Sequence, residues 1–261
     1  MNNIKDYLTK VNKTKKALSI YLTAGYPSKN NFDDLVLNIF DAGADLIELG
    51  IPFSDPLADG KTIQASSQIA LDNGITVEYV FEIASKIKEK TDKPIILMTY
   101  ANPILNYGLE QFLAKSTEAK ISGLIVPDLP LEESNQFFGD GKKNQDIILL
   151  TTPSSSKERI KQIDRASEGF LYCVSVMGIT GARKGFTDDI LNNLKRTYQL
   201  VSKNKMLIGF GISTPEDIQQ ILPFCDGVIV GSAVIKSLGK DNHGYSSTID
   251  FVKELNEATY K

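Results

Sequence analysis

One pattern constrains this chain more than any other. From residue 17 to the C-terminal end it repeats a short apolar run, a loop and an amphipathic segment with helical spacing. The apolar runs cover 17–24, 46–51, 94–99, 123–126, 147–151, 170–174, 206–209 and 227–230. Short, continuously apolar runs suit parallel strands buried on both faces. Between the first two, Phe32, Leu35, Val36, Ile39 and Phe40 recur at helical spacing with Asp33, Asp34 and Asn38 between them. Further helices are predicted at 62–71, 77–90, 109–119, 131–138, 157–166, 188–201 and 249–258. Thr214-Pro215-Glu216-Asp217 opens another, with an N-cap, a proline at the first helical position and acids in the first turn. About eight such units in roughly 250 residues, with no low-complexity linker, predict an α/β fold, one closed (β/α)8 barrel. It would span 1–261 as a single domain, with an extra N-terminal helix at 4–11. An open doubly wound sheet would expect a glycine-rich fingerprint after its first strand, and Ala24-Gly25-Tyr26-Pro27 is not one.

Composition then removes whole classes of function. Hydrophobic residues make up 42% and charged residues 23%, enough for a sizeable core in a globular protein. A net charge of -3 leaves no electrostatic footprint for nucleic acid. Met1-Asn2-Asn3-Ile4-Lys5 leads into no apolar run of signal-peptide type, and no later run approaches membrane-spanning length. The expected location is the cytoplasm, or an organelle stroma if an organelle genome encodes the chain. Cys173 and Cys225 lie in apolar surroundings and read as buried thiols in a reducing compartment. A single histidine, His243, sits in a polar stretch, so His-based triads and His-rich zinc sites are excluded.

Barrels of this kind place chemistry at the C-terminal ends of their strands and in the loops that follow. The second strand carries Glu48, whose alternation puts it with Leu46 and Gly50 on one face, against Ile47, Leu49 and Ile51 on the other. A buried carboxyl is costly unless something nearby needs it. The following loop adds Asp55 and Asp59. Burial would favour protonated Glu48 while Asp59 stays ionised, so the two could divide acid and base roles. Asp55 reads equally well as a turn-forming aspartate. Gly209-Phe210-Gly211-Ile212-Ser213 and Gly231-Ser232-Ala233 follow strands seven and eight, where barrels frequently hold phosphate on backbone N–H groups. The stretch from Ser175 to Gly185 suits a lid closing over substrate. Tyr21, Phe53, Tyr100, Ile125, Pro127, Tyr172 and Phe210, all near strand ends, could line a slot for a flat apolar ring.

Two aldolase chemistries fail on the residues. A Schiff-base enzyme needs a desolvated lysine inside the barrel, and Lys93 and Lys205 precede their strands. A zinc enzyme needs histidine ligands. Acid–base catalysis by carboxylates on a phosphorylated substrate with an apolar ring remains.

The run Ile47-Glu48-Leu49-Gly50 through Pro52-Phe53-Ser54-Asp55-Pro56-Leu57-Ala58-Asp59-Gly60 resembles the signature of the tryptophan synthase alpha chain family. The resemblance extends through Tyr100-Ala101-Asn102-Pro103, Pro127-Asp128-Leu129-Pro130, Gly178-Ile179-Thr180-Gly181 and the two glycine loops, over nearly the whole chain. It implies retro-aldol cleavage of indole-3-glycerol phosphate into indole and glyceraldehyde 3-phosphate. Glu48 would protonate the ring carbon being released, and Asp59 would hold the indole N–H. Tyr172 would neighbour Glu48, and Tyr21, Tyr100, Ile125 and Pro127 would line the ring pocket. Gly181, Gly211, Gly231 and Ser232 would hold the phosphate, and Thr180 and Phe210 would complete the substrate contacts. A beta chain that uses pyridoxal phosphate would receive the indole in an alpha2beta2 complex, facing residues 53–59 and 102–106. No cofactor or metal is implied for this chain. Tyr21 stands where many members have phenylalanine, and Lys61 where a proline is frequent. Alternative readings are a stand-alone indole-releasing lyase, another phosphate-binding barrel such as an isomerase or epimerase, and a non-catalytic regulatory partner.

Overall fold

The computed structural model describes residues 3–139, 144–152, 154–175, 185–241 and 244–260. Nine strands form one parallel sheet: β1 (Ala17–Thr23), β2 (Leu46–Gly50), β3 (Ile95–Met98), β4 (Gly123–Ile125), β5 (Asp146–Ile148), β6 (Leu150–Thr151), β7 (Phe170–Val174), β8 (Lys205–Gly209) and β9 (Gly227–Val230). Their order is β5-β4-β3-β2-β1-β9-β8-β7-β6. Only Leu149 separates β5 from β6, so the two ends of the sheet meet in one stretch of chain and the sheet closes. Nine ladder segments therefore make the eight strands of a (β/α)8 barrel.

The fifth predicted strand, 147–151, is divided because its halves pair on opposite sides. Ile148 is in register with Ile125 of β4, and Leu150 with Tyr172 of β7. Around Leu149, side chains complete the join. The Glu168 carboxylate accepts the Ile147 N–H at 3.1 Å, and Ser167 Oγ accepts the Leu149 N–H at 3.0 Å. Asp45 and Asp226 act likewise at the same end of the barrel, accepting the N–H of Leu18 at 2.9 Å and of Met206 at 3.0 Å. Each acid sits just before one strand and holds the start of its neighbour.

Helices α1 (Ile4–Val11), α2 (Phe32–Asp41), α3 (Lys61–Asp72), α4 (Val77–Lys90), α5 (Ala101–Tyr107), α6 (Leu109–Glu118), α7 (Leu131–Phe138), α8 (Lys157–Ala166), α9 (Asp188–Leu200), α10 (Pro215–Ile221), α11 (Ser232–Leu238) and α12 (Ser246–Glu257) accompany the strands. The predicted start of α10 carries a full capping box: Thr214 Oγ1 accepts the Asp217 N–H at 3.2 Å, and the Asp217 carboxylate accepts the Thr214 N–H at 3.0 Å. Two helices were not expected. α5 and α11 leave strand-end segments directly, where the sequence reads as loop. Pro103 is tolerated in α5 because the first-turn N–H groups have no partner within the helix.

Register fixes which side chains point inward. Tyr21 is paired with Glu48, Glu48 with Ile96, Leu207 with Tyr172, and Leu207 with Gly227. With an alternation of two, Ser19, Tyr21, Glu48, Ile96, Met98, Ile125, Ile148, Tyr172, Leu207, Gly209 and Ile229 share the inner face. α1 closes the N-terminal mouth. Its Ile4 and Leu8 are fully buried, and a Cβ on Gly123 would lie 2.9 Å from Ile4 Cδ1. Lys93 and Lys205 are found at that end too: Lys93 Nζ donates to the carbonyls of Phe40 and Ala44 at 2.7 and 2.8 Å, and Lys205 lies 3.6 Å from Asp226. Cys173 and Cys225 are buried and free. No helix among the described residues is long and apolar enough to cross a membrane.

Candidate active site

At the opposite, C-terminal end the inner face turns polar. Glu48 is wholly buried. Ser19 Oγ donates to Glu48 Oε1 at 3.1 Å, and Oε2 has no hydrogen-bond partner among the described residues. Burial pushes the carboxyl from the ordinary 4.5 up to about 8, with the Ser19 hydrogen bond pulling the other way. Glu48 is thus mostly protonated at neutral pH, with one oxygen free to act.

Asp59 lies in the loop after β2, 9% exposed. Burial raises it to about 6, opposed by a hydrogen bond from the Tyr100 hydroxyl. It is mostly ionised at neutral pH. The same hydroxyl accepts the Ala58 N–H at 3.0 Å, and the Tyr100 ring packs on Phe53 with centroids 5.5 Å apart. Tyr100 therefore pins the loop at both ends. Asp55 points to solvent, where Ser54 Oγ donates to its carboxylate at 2.5 Å and its carbonyl accepts the Leu57 N–H at 3.0 Å. Its contacts are those of a loop-shaping residue. Three acids of one strand and its loop thus occupy three environments, and among the described residues no group of three or more acids, histidines or cysteines could hold a metal ion.

Two tyrosines flank Glu48, each lying over a glycine of the next strand. A Cβ on Gly50 would come within 2.6 Å of Tyr21 Cζ, and one on Gly209 within 2.5 Å of Tyr172 Cζ. These glycines leave room for the rings. Burial, reinforced by Glu48 and Asp59, holds both phenols above their ordinary range, so they stay neutral. Tyr172 also meets the edge of Phe210 at 6.1 Å. Phe210 and Gly211 both adopt the left-handed region, with φ of 70° and 75°. A bulky residue rarely adopts that conformation. Here the Phe210 carbonyl accepts the Ser175 hydroxyl. Gly231 adjoins Tyr21: a Cβ there would lie 3.3 Å from Tyr21 Cβ. Ser232 opens α11 immediately after it. Ile125 ends β4, in register with Met98, and Pro127 is half-buried just beyond. Thr180 and Gly181, with most of the expected lid, lie outside the described residues, as does His243.

The sequence reading missed Ser19. Its one signal was a hydroxyl in an apolar strand, two residues before Tyr21 and so on the same face.

A closed parallel barrel with a buried, mostly protonated carboxyl on its second strand, a second acid in the next loop and glycine loops after its last two strands defines a (β/α)8 barrel equipped for acid–base chemistry. The family model described as "Tryptophan synthase alpha chain" matches residues 8–261, and the chain belongs to that family. It is 41% identical over 252 residues to a tryptophan synthase alpha chain from Petrotoga mobilis, covering 96% of this chain and 97% of the relative. A second, from Thermoanaerobacter pseudethanolicus, is 45% identical over 234 residues, covering 90% and 88%. Among solved structures, one from Aquifex aeolicus superposes with a TM-score of 0.89 at 36% identity over 100% of both chains. Tryptophan synthase from Mycobacterium tuberculosis superposes with a TM-score of 0.88 at 31% identity, covering 99% of this chain and 98% of that one.

Proposed function

We propose that this chain catalyses retro-aldol cleavage of indole-3-glycerol phosphate to indole and glyceraldehyde 3-phosphate, the alpha reaction of tryptophan synthesis. The observation that carries the reading is Glu48: fully buried, mostly protonated at neutral pH, with Oε2 unpartnered beside two neutral phenols. Substrate and products differ only in where protons and one electron pair sit. Glu48 gives its proton to the indole carbon that bears the glycerol chain. The resulting positive charge spreads to the ring nitrogen, where Asp59 holds the N–H. The carbon–carbon bond then breaks, its electron pair returns to the ring, and the adjacent hydroxyl becomes the aldehyde as its proton passes to Glu48. One carboxyl serves as acid and then as base.

Tyr21, Tyr100, Ile125, Pro127, Tyr172 and Phe210 would enclose the ring, while backbone N–H groups at Gly211, Gly231 and Ser232 would hold the phosphate, with Thr180 and Gly181 closing from the lid. Glu48→Gln should abolish indole release while leaving the far-UV circular dichroism unchanged; retained turnover overturns the reading.

The expected partner is a beta chain, in an alpha2beta2 complex. Support comes from a hollow of about 410 Å³ lined by Pro52, Phe53, Pro103, Asn106 and Tyr107 among others, which brings the two partner-facing segments side by side. Leu57 and Leu105, on those segments, are 89% and 58% exposed. Large apolar side chains so exposed suit a surface that another protein covers. Pyridoxal phosphate would belong to that partner, and no cofactor to this chain. A cytoplasmic location fits the bacterial relatives.

A further inference from the structure

We infer that Ser19 is a positioning residue for the reaction, selecting which oxygen of Glu48 carries the working proton; this rests on Glu48 being the acid/base. Both side chains are fully buried, and the hydroxyl lies 3.1 Å from Oε1. Ser19 precedes Tyr21 on the inner face of β1, so strand alternation delivers it to the barrel interior beside Glu48 on the neighbouring strand.

The chemistry follows from what a carboxyl can accept. An ionised Glu48 cannot donate, so Ser19 must donate to Oε1. When Glu48 takes up a proton, Ser19 continues to donate only if Oε1 stays the carbonyl oxygen. The proton then goes to Oε2, the oxygen with no partner. Without Ser19 the two oxygens become nearly equivalent, and the proton spends part of its time on the wrong one. The hydrogen bond also favours the charged form, which makes Glu48 a stronger acid in the step that gives its proton to the ring. The titratable groups facing Glu48 are Tyr21 from β1 and Tyr172 from β7, with Asp59 on the loop after β2. From β3 the residue in register is Ile96. The two phenols stay neutral, and none of these groups occupies Oε1.

The test uses the full chain carrying 13C-labelled glutamate carboxyls, with the Glu48 signal assigned by its loss in Glu48→Gln. In Ser19→Ala the Glu48 midpoint should rise by about one pH unit, a roughly tenfold change in proton affinity. The alkaline limb of the kcat profile for indole release should move with it, and kcat should fall about tenfold with KM nearly unchanged. Ser19→Cys, close in volume and a weaker donor, should lie between serine and alanine in both measurements. An unmoved midpoint in both variants overturns the inference, even with Glu48→Gln inactive. A moved midpoint together with an active Glu48→Gln overturns the underlying reading instead, and the positioning role falls with it.

Discussion

Glu48 and Asp59 are both carboxyls raised by burial, yet to values that separate their roles at neutral pH. With Glu48 needed protonated and Asp59 needed ionised, kcat/KM for indole release should be bell-shaped, rising through about pH 6 and falling through about pH 8. A profile flat across that range would contradict the assignment. The same burial has a thermodynamic cost. The fold holds the Glu48 proton more tightly than the unfolded chain does, so its contribution to stability is complete below about 4.5 and is lost as pH rises to about 8. Glu48→Gln cannot ionise. It should therefore gain on the parent protein across that window, by about 1.4 kcal/mol per pH unit at most, with a higher melting temperature at pH 9 as the readout. The sequence exposed Glu48 and Asp59 because a charge within or just after an apolar run is conspicuous. It hid Ser19, because a small hydroxyl in a strand is ordinary until a partner 29 residues away is seen to face it.

At the scale of the element, the apolar runs were legible and the segments leaving them were not. Helices at 77–90, 131–138 and 157–166 coincide with their predicted limits, since each carries amphipathic spacing and its own stop signal. α5 and α11 have seven residues each and start within the motifs that also shape the site. The cap of α5 is tertiary: Asp128, from the loop after β4, accepts the Ala101 N–H at 3.0 Å. No local reading could have found it. The break at Leu149 was invisible for a similar reason, being set by two different neighbours. The strands also show how the ring sites were made. Gly209 lies under Tyr172, so Gly209→Ala should displace the ring, cost about 1–3 kcal/mol in urea unfolding and lower kcat/KM at least tenfold. A variant with unchanged kcat/KM would show that the ring position is immaterial.

Across the whole molecule the two ends of the barrel divide the work. The N-terminal end holds the acids that organise strand starts, including Asp45, paired with buried Lys15 at 2.7 Å, and the helix that closes the mouth. The C-terminal end holds Glu48, with one oxygen unpartnered among the described residues, and Asp59. The surface proposed for a beta chain lies beside that end, on α5 and the loop after β2. Leu105→Asp should leave indole release by the isolated chain within about twofold, while removing the acceleration produced by adding a beta chain. Equal acceleration of parent and variant would move the contact elsewhere. The seam at Leu149 has a consequence of its own. Because the first and last segments of the sheet are one continuous stretch, the described residues leave no strand edge open to a neighbouring molecule, and so no template for edge-to-edge growth. At that seam Ser167 and Glu168 stand in for ladder bonds, accepting the N–H groups of Leu149 and Ile147. Two side chains at the N-terminal end, remote from Glu48, thus help keep the join closed.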